Sequence, residues 1–191
     1  EFDPEILARY VNFMNNPDEE TAIEQFGGGD KYFGICTLMV TLPGLPMLGH
    51  GQVEGLHEKY GMEYYRPYWD ETPDAALVAR HEREIFPLLH QRALFAGVEN
   101  FYLYDFLTPE GRVDENVYAC TNRLGETRAL VLYHNKMGET RGAIHRSAPF
   151  ASKTETDERA LQTRTLAEGL ALPNAPRHYL LFRDPLTGLE Y

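Results

Sequence analysis

The sequence predicts two regions of different class: an α/β domain over residues 1–97 and an all-β, antiparallel domain over residues 98–191, meeting near Gly97. Three observations carry this division. Two short apolar runs, Val11–Met14 and Leu45–Leu48, flank a helical stretch in the order strand, helix, strand, which is a parallel-sheet unit. A second helical stretch runs from Thr72-Pro73-Asp74 to about Phe95, with a split at Pro87 and a stop at Gly97. After Gly97 the texture becomes apolar-polar alternation broken by turn residues.

Taken in order, residues 5–14 start as helix or coil and end in the first strand. Asn16-Pro17-Asp18-Glu19-Glu20 reads as a helix start, with Asn16 as cap, Pro17 at the first helical position and acids facing the positive end of the helix dipole. Gly27-Gly28-Gly29 breaks that helix. Asp30 can cap the next, Lys31–Leu42, which is apolar on nearly every face and so expected to be buried. Residues 51–70 form a long loop dense in Tyr60, Tyr64, Tyr65, Tyr68 and Trp69, with His57, Arg66 and several Glu among them. So many aromatics argue against disorder, and loops this long are commonly functional. Strands are expected at Val98–Leu103, Val117–Thr121, Ala129–Tyr133 and Tyr179–Phe182, with a mobile excursion over Lys153–Thr165.

Composition excludes several classes. The 191 residues carry a formal net charge of −11 with no Lys/Arg cluster, which argues against nucleic-acid binding, because phosphate contacts need a concentrated cationic face. No apolar run reaches the roughly 18 residues a bilayer crossing needs, so no membrane span is expected. Cys36 and Cys120 lack close spacing and read as reduced thiols of a cytoplasmic protein. The histidines lack zinc-ligand spacing, the glycine run lacks the Lys-Ser/Thr of a phosphate loop, and no nucleophile elbow is present, so no metal or cofactor is expected.

Two segments resemble a known family. Phe13, Asn16 and Asp18 fit the Phe-x-x-Asn-His-Asp pattern that ends the seventh barrel strand in α-amylase-type enzymes, glycoside hydrolase family thirteen. Thr41-Leu42-Pro43-Gly44-Leu45-Pro46 fits the Thr-Leu-Pro-Gly-x-Pro entry to the eighth strand, and Gly51-Gln52 with Glu54 one place late is similar to the rim that follows. The resemblance covers roughly Val11–Gly55 and is architectural afterwards. It implies the C-terminal part of a TIM (β/α)8 barrel followed by an antiparallel C-terminal domain, acting on α-linked glucans or oligosaccharides. The family's nucleophile and general acid lie on earlier strands, so the resemblance also implies that these residues are inactive alone and need the rest of the parent barrel.

The resemblance makes Asp18 the catalytic candidate, as the carboxylate that stabilises the oxocarbenium-like transition state, and Asn16, Glu54, Tyr65 and Trp69 the substrate-binding candidates. A carboxylate suits that task because it accepts hydrogen bonds from sugar hydroxyls and counters growing positive charge. Tyr and Trp faces stack on sugar rings. The alternative for Asn16-Pro17-Asp18 is a plain helix cap, and for the aromatics it is packing of the loop. Pro17 stands where the family has His and removes a donor and acceptor. Transferase branches of the family tolerate a non-His residue there, so transfer stands beside hydrolysis. A competing class is a non-catalytic degenerate barrel, or a carbohydrate- or protein-binding module using loop 51–70.

Overall fold

The structure is a computed structural model that describes residues 3–61, 65–153, 159–173, 175, 177 and 179–191. Short helix α1 (Pro4–Leu7) leads into strand β1 (Val11–Phe13), helices α2 (Ala22–Phe26) and α3 (Asp30–Thr41), and strand β2 (Leu45–Met47). β1 and β2 pair in parallel, Val11 opposite Leu45 and Phe13 opposite Met47, as the strand-helix-strand order requires. The helix expected at Pro17 begins later. Asn16 Oδ1 accepts from the amides of Asp18 (2.8 Å) and Glu19 (3.0 Å) and closes a turn, while Thr21 caps α2 and Gly27 ends it at φ 70°. Gly29, not Asp30, caps α3, and Asp30 is its first residue.

α3 is the centre of the first core. Tyr32, Phe33, Cys36, Met39 and Val40 are buried on it against Met14, Ala22, Leu77 and Ile85. Its C-terminal end is held from outside. Arg92 donates to the carbonyls of Val40 (2.8 Å), Leu42 (2.9 Å) and Gly44, placing a cation where the helix dipole is negative. Gly44 itself is required at φ 98°: a Cβ there would lie 2.5 Å from Tyr10 O and 2.9 Å from Leu7 O. That close approach lets Leu45 N reach Tyr10 O at 2.8 Å and start β2 beside β1.

The expected split helix is three pieces, α4 (Ala75–Glu84, capped by Asp74), α5 (Phe86–Leu89, with Pro87 in its first turn) and α6 (Arg92–Ala96). Beyond Gly97 lies a four-stranded antiparallel sheet in the order β5-β4-β3-β6, with β3 Tyr102–Leu107, β4 Val117–Leu124, β5 Thr127–His134 and β6 Ala143–Ser147. A hairpin, β7 (Phe150–Lys153) with β8 (Arg159–Gln162), and helix α7 (Leu166–Gly169) follow. The class is therefore mixed α and β with mostly antiparallel sheets. Among the described residues there is no closed barrel: the parallel sheet has two strands, and closure needs a full ring of tilted, staggered ones.

The strand bounds shift for local reasons. Val98–Phe101 turns rather than extends, with both residues buried, so β3 starts at Tyr102. β4 runs past its expected end at Thr121 to Leu124, because the turn is the pair Gly125-Glu126 with Gly125 at φ 57°. Part of the expected excursion over 153–165 is β8, and residues 154–158 of it lie outside the described residues. Tyr179–Phe182 is not a strand; Phe182 instead exchanges backbone hydrogen bonds with Tyr191 across the turn at Asp184–Gly188.

The sheet docks on α3 through Tyr133 of β5, whose ring lies so close to Gly34 that a Cβ there would overlap it. Asn122 Nδ2 donates to Gly97 O at 2.9 Å and joins β4 to the end of α6. Cys36 and Cys120 are free thiols, one buried in each region, as expected of reduced cysteines. No described helix is long and apolar enough to cross a membrane.

Candidate functional site

Because β1 and β2 run parallel, the residues that follow them emerge at the same end of the pair. Asp18 follows β1 and is exposed; loop 51–70 follows β2. The two meet. Lys59 Nζ donates to Asp18 O at 2.8 Å, and His57 Nδ1 makes a short contact with Glu24 Oε1, pinning the loop to the chain beyond β1. Asn16 commits its side-chain oxygen to the turn that carries Asp18, accepting from two backbone amides there.

The floor beneath is polar and buried. Gln52 Oε1 accepts from Gly49 N at 3.0 Å, and Gln52 Nε2 contacts the Met14 and Cys36 sulfurs. Gln52 of the Gly-Gln rim is thus a structural residue, 3% exposed. Tyr32 OH lies 2.7 Å from Gln52 O and 3.1 Å from His81 Nε2. His81 Nδ1 faces Leu77 O at 3.0 Å, and a carbonyl only accepts, so Nδ1 carries a proton; the single Tyr32 hydroxyl proton goes to the nearer Gln52 O, with His81 Nε2 beside the same hydroxyl. Burial pushes the His81 pKa down and the Tyr32 pKa up, and the Glu54 carboxylate raises both. Half-buried Glu54 is therefore an electrostatic neighbour of this inner pair, while its backbone carbonyl accepts from Asp74 N at 2.9 Å.

The aromatics stand at the surface. Tyr65 is 85% exposed with the Arg66 guanidinium 5.5 Å from its ring centre, and Trp69 is 58% exposed. Tyr60 packs its ring 4.5 Å from His50, a structural placement, and Tyr64 lies outside the described residues. Among the described residues no hydrogen bond or ion pair joins Asp18 to Glu54, Tyr65 or Trp69, and no cluster of His, Cys, Asp or Glu could hold a metal ion. Sequence reasoning missed Lys59 and Glu71, and the structural role of Glu58; the three shape the loop. Their signal was present only as polar residues between aromatics, without a period or spacing to single them out.

The chain is similar in structure to a noncanonic maltogenic α-amylase from Thermotoga neapolitana, with a TM-score of 0.50 at 15% identity over 82% of this chain. The fold is amylase-like. The match spans 37% of that amylase's length, and it takes in regions on both sides of Gly97, since neither alone reaches 82% of the residues. No family model matches the chain, and no curated protein matches it by sequence.

Proposed function

We propose that the chain is the C-terminal portion of an α-amylase-like glycosidase or transglycosylase acting on α-linked glucans or oligosaccharides, with Asp18 as the transition-state-stabilising carboxylate. The observation that carries this reading is the meeting of Asp18 with loop 51–70 at the C-terminal end of two parallel strands, the end at which barrel enzymes assemble their sites. The exposed Asp18 carboxylate would face the anomeric carbon, where positive charge develops, and accept hydrogen bonds from ring hydroxyls. Tyr65 and Trp69 would supply stacking faces, and Glu54 and Asn16 would order the surface around them. Pro17 leaves out the imidazole that would help hold the sugar at the cleavage point, which favours a transfer reaction as much as hydrolysis.

The partner implied is the rest of the parent barrel. Val11, Phe13 and Leu45 lie on one face of the β1–β2 pair at 46%, 44% and 63% exposure, a contiguous apolar face that a barrel neighbour would cover. The nucleophile and the general acid would come from that remainder, so the 191 residues alone are expected to give no turnover. A binding module is favoured by one observation of its own, the outward presentation of Tyr65, Tyr68 and Trp69.

The test is product formation by the intact parent on α-linked oligosaccharides, beside Asp18→Asn, which keeps the shape and removes the charge. Loss of about 100-fold or more in kcat is expected, the scale of removing one electrostatic stabiliser. Equal rates for both proteins would remove Asp18 from the site, and no turnover by either would leave the binding module as the reading to pursue.

A further inference from the structure

Residues 57–58 and 68–71 are clasped by two carboxylates, each bonded to the backbone of the other's segment. Glu58, 7% exposed, accepts from Tyr68 N through Oε1 (2.7 Å) and from Trp69 N through Oε2 (3.0 Å). Glu71 accepts from Glu58 N through Oε1 (2.7 Å) and from His57 N through Oε2 (2.8 Å). Each carboxylate thus accepts from two successive backbone amides. Such bonds are charge-assisted and roughly twice as strong as neutral ones. The residues gripped by Glu58 are the ones whose side chains point out: Tyr68 is 68% and Trp69 58% exposed. The carboxylate is buried while the aromatics it holds are not.

We infer that Glu58 is a positioning residue that fixes the Tyr68–Trp69 backbone and so presents a rigid aromatic platform for stacking on an α-linked glucan. The inference rests on the saccharide reading of this loop for its ligand, but not for the clasp. Large exposed aromatics on an unrestrained loop would lose conformational freedom on each binding event; holding the backbone beforehand removes that cost. Glu58 touches no substrate in this role and acts through two backbone amides.

Trp69 is the sole tryptophan among the 191 residues, so its emission reports on the platform alone. In Glu58→Ala the acrylamide quenching constant of Trp69, without ligand, is expected to rise roughly twofold as the segment opens locally. Glu58→Gln keeps one acceptor oxygen, and its quenching should fall between Glu58→Ala and the wild type. The urea midpoint controls for folding, and where Glu58→Ala fails to fold, Glu58→Gln carries the test. Calorimetric titration with maltohexaose is then run on the wild type and each folded variant, with binding weakened about tenfold by loss of the clasp.

Wild-type quenching in a folded variant would overturn the clasp. Wild-type maltohexaose affinity in a variant whose quenching has risen would overturn the positioning role. A wild-type protein that gives no heat with maltohexaose, beside raised quenching in the variants, would sink the saccharide reading and leave the clasp standing.

Discussion

The two sheets of this chain solve the same problem in different ways. The antiparallel sheet β5-β4-β3-β6 is well covered: Ala119, Cys120, Thr121 and Asn122 are buried in succession along β4, which lies against α6 and α7 as well as its neighbouring strands. The parallel pair β1–β2 buries little. It is backed by α3 and leaves Val11, Phe13 and Leu45 outward. Parallel sheets are ordinarily covered on both faces, whereas antiparallel ones tolerate water on one. The difference teaches that the open apolar face belongs to the parallel pair, so cover from elsewhere matters more to it than to the antiparallel sheet.

The largest break in that contrast is expected at Arg92. Arg92→Met keeps much of the apolar stem but leaves the carbonyls of Val40, Leu42 and Gly44 without their donor, and about 2–4 kcal/mol of stability should be lost. Urea unfolding followed by circular dichroism measures it; an unchanged midpoint would show that β2 does not need this tie. Next is the seam between the regions. Gly34→Ala would gain roughly 1 kcal/mol of helix propensity but overlap the Tyr133 ring, for a net loss of about 1–2 kcal/mol. Tyr133→Ala in the same background should recover part of the loss in a double-mutant cycle, and additive losses would mean that the ring moves aside.

A third prediction concerns protons. Burial holds His81 below its ordinary pKa of 6.5, against the smaller opposing pulls of the Leu77 carbonyl and the Glu54 and Glu84 carboxylates. The unfolded chain therefore binds the His81 proton first as pH falls. The contribution of neutral His81 is complete above about pH 6.5 and declines below it. His81→Phe should flatten the stability profile between pH 7 and the lowered pKa; an unchanged slope would assign the pH dependence to other groups. The smallest effect on folding is expected at the open face. Val11→Thr with Phe13→Thr should change stability by less than about 0.5 kcal/mol yet reduce concentration-dependent association in sedimentation. A large destabilisation would mean that the face is packed after all, and would erase the contrast between the two sheets.

What could be read in the sequence follows the same divide. β2 was legible as the short apolar run Leu45–Leu48, whereas the close approach of Gly44 to Tyr10 O at φ 98° left no mark in the sequence beyond the glycine itself. α3 and the pieces around Pro87 were legible from apolar content and breakers. Asn16 misled because an Asx turn and a helix cap use the same side-chain oxygen on the same amides, and only Thr21 further on decides between them. β6 to β8 were missed because their strands are short and half-exposed, so their alternation is weak. Of the site, Asp18 and the exposed aromatics were visible by type. The grip of Glu58 and Glu71 was not, because a carboxylate bonded to amides ten or more residues away leaves no local pattern.

The two thiols have a use that follows from where they sit. Burial lifts both Cys36 and Cys120 to about 12, so neither offers a thiolate at neutral pH while its surroundings stay closed. One belongs to the helical region and one to the sheet. A chromogenic disulfide reagent would thus act as a clock on each thiol, ticking when the residues packed around it open, and with Cys36→Ala and Cys120→Ala the two could be timed separately. The helical clock should run faster.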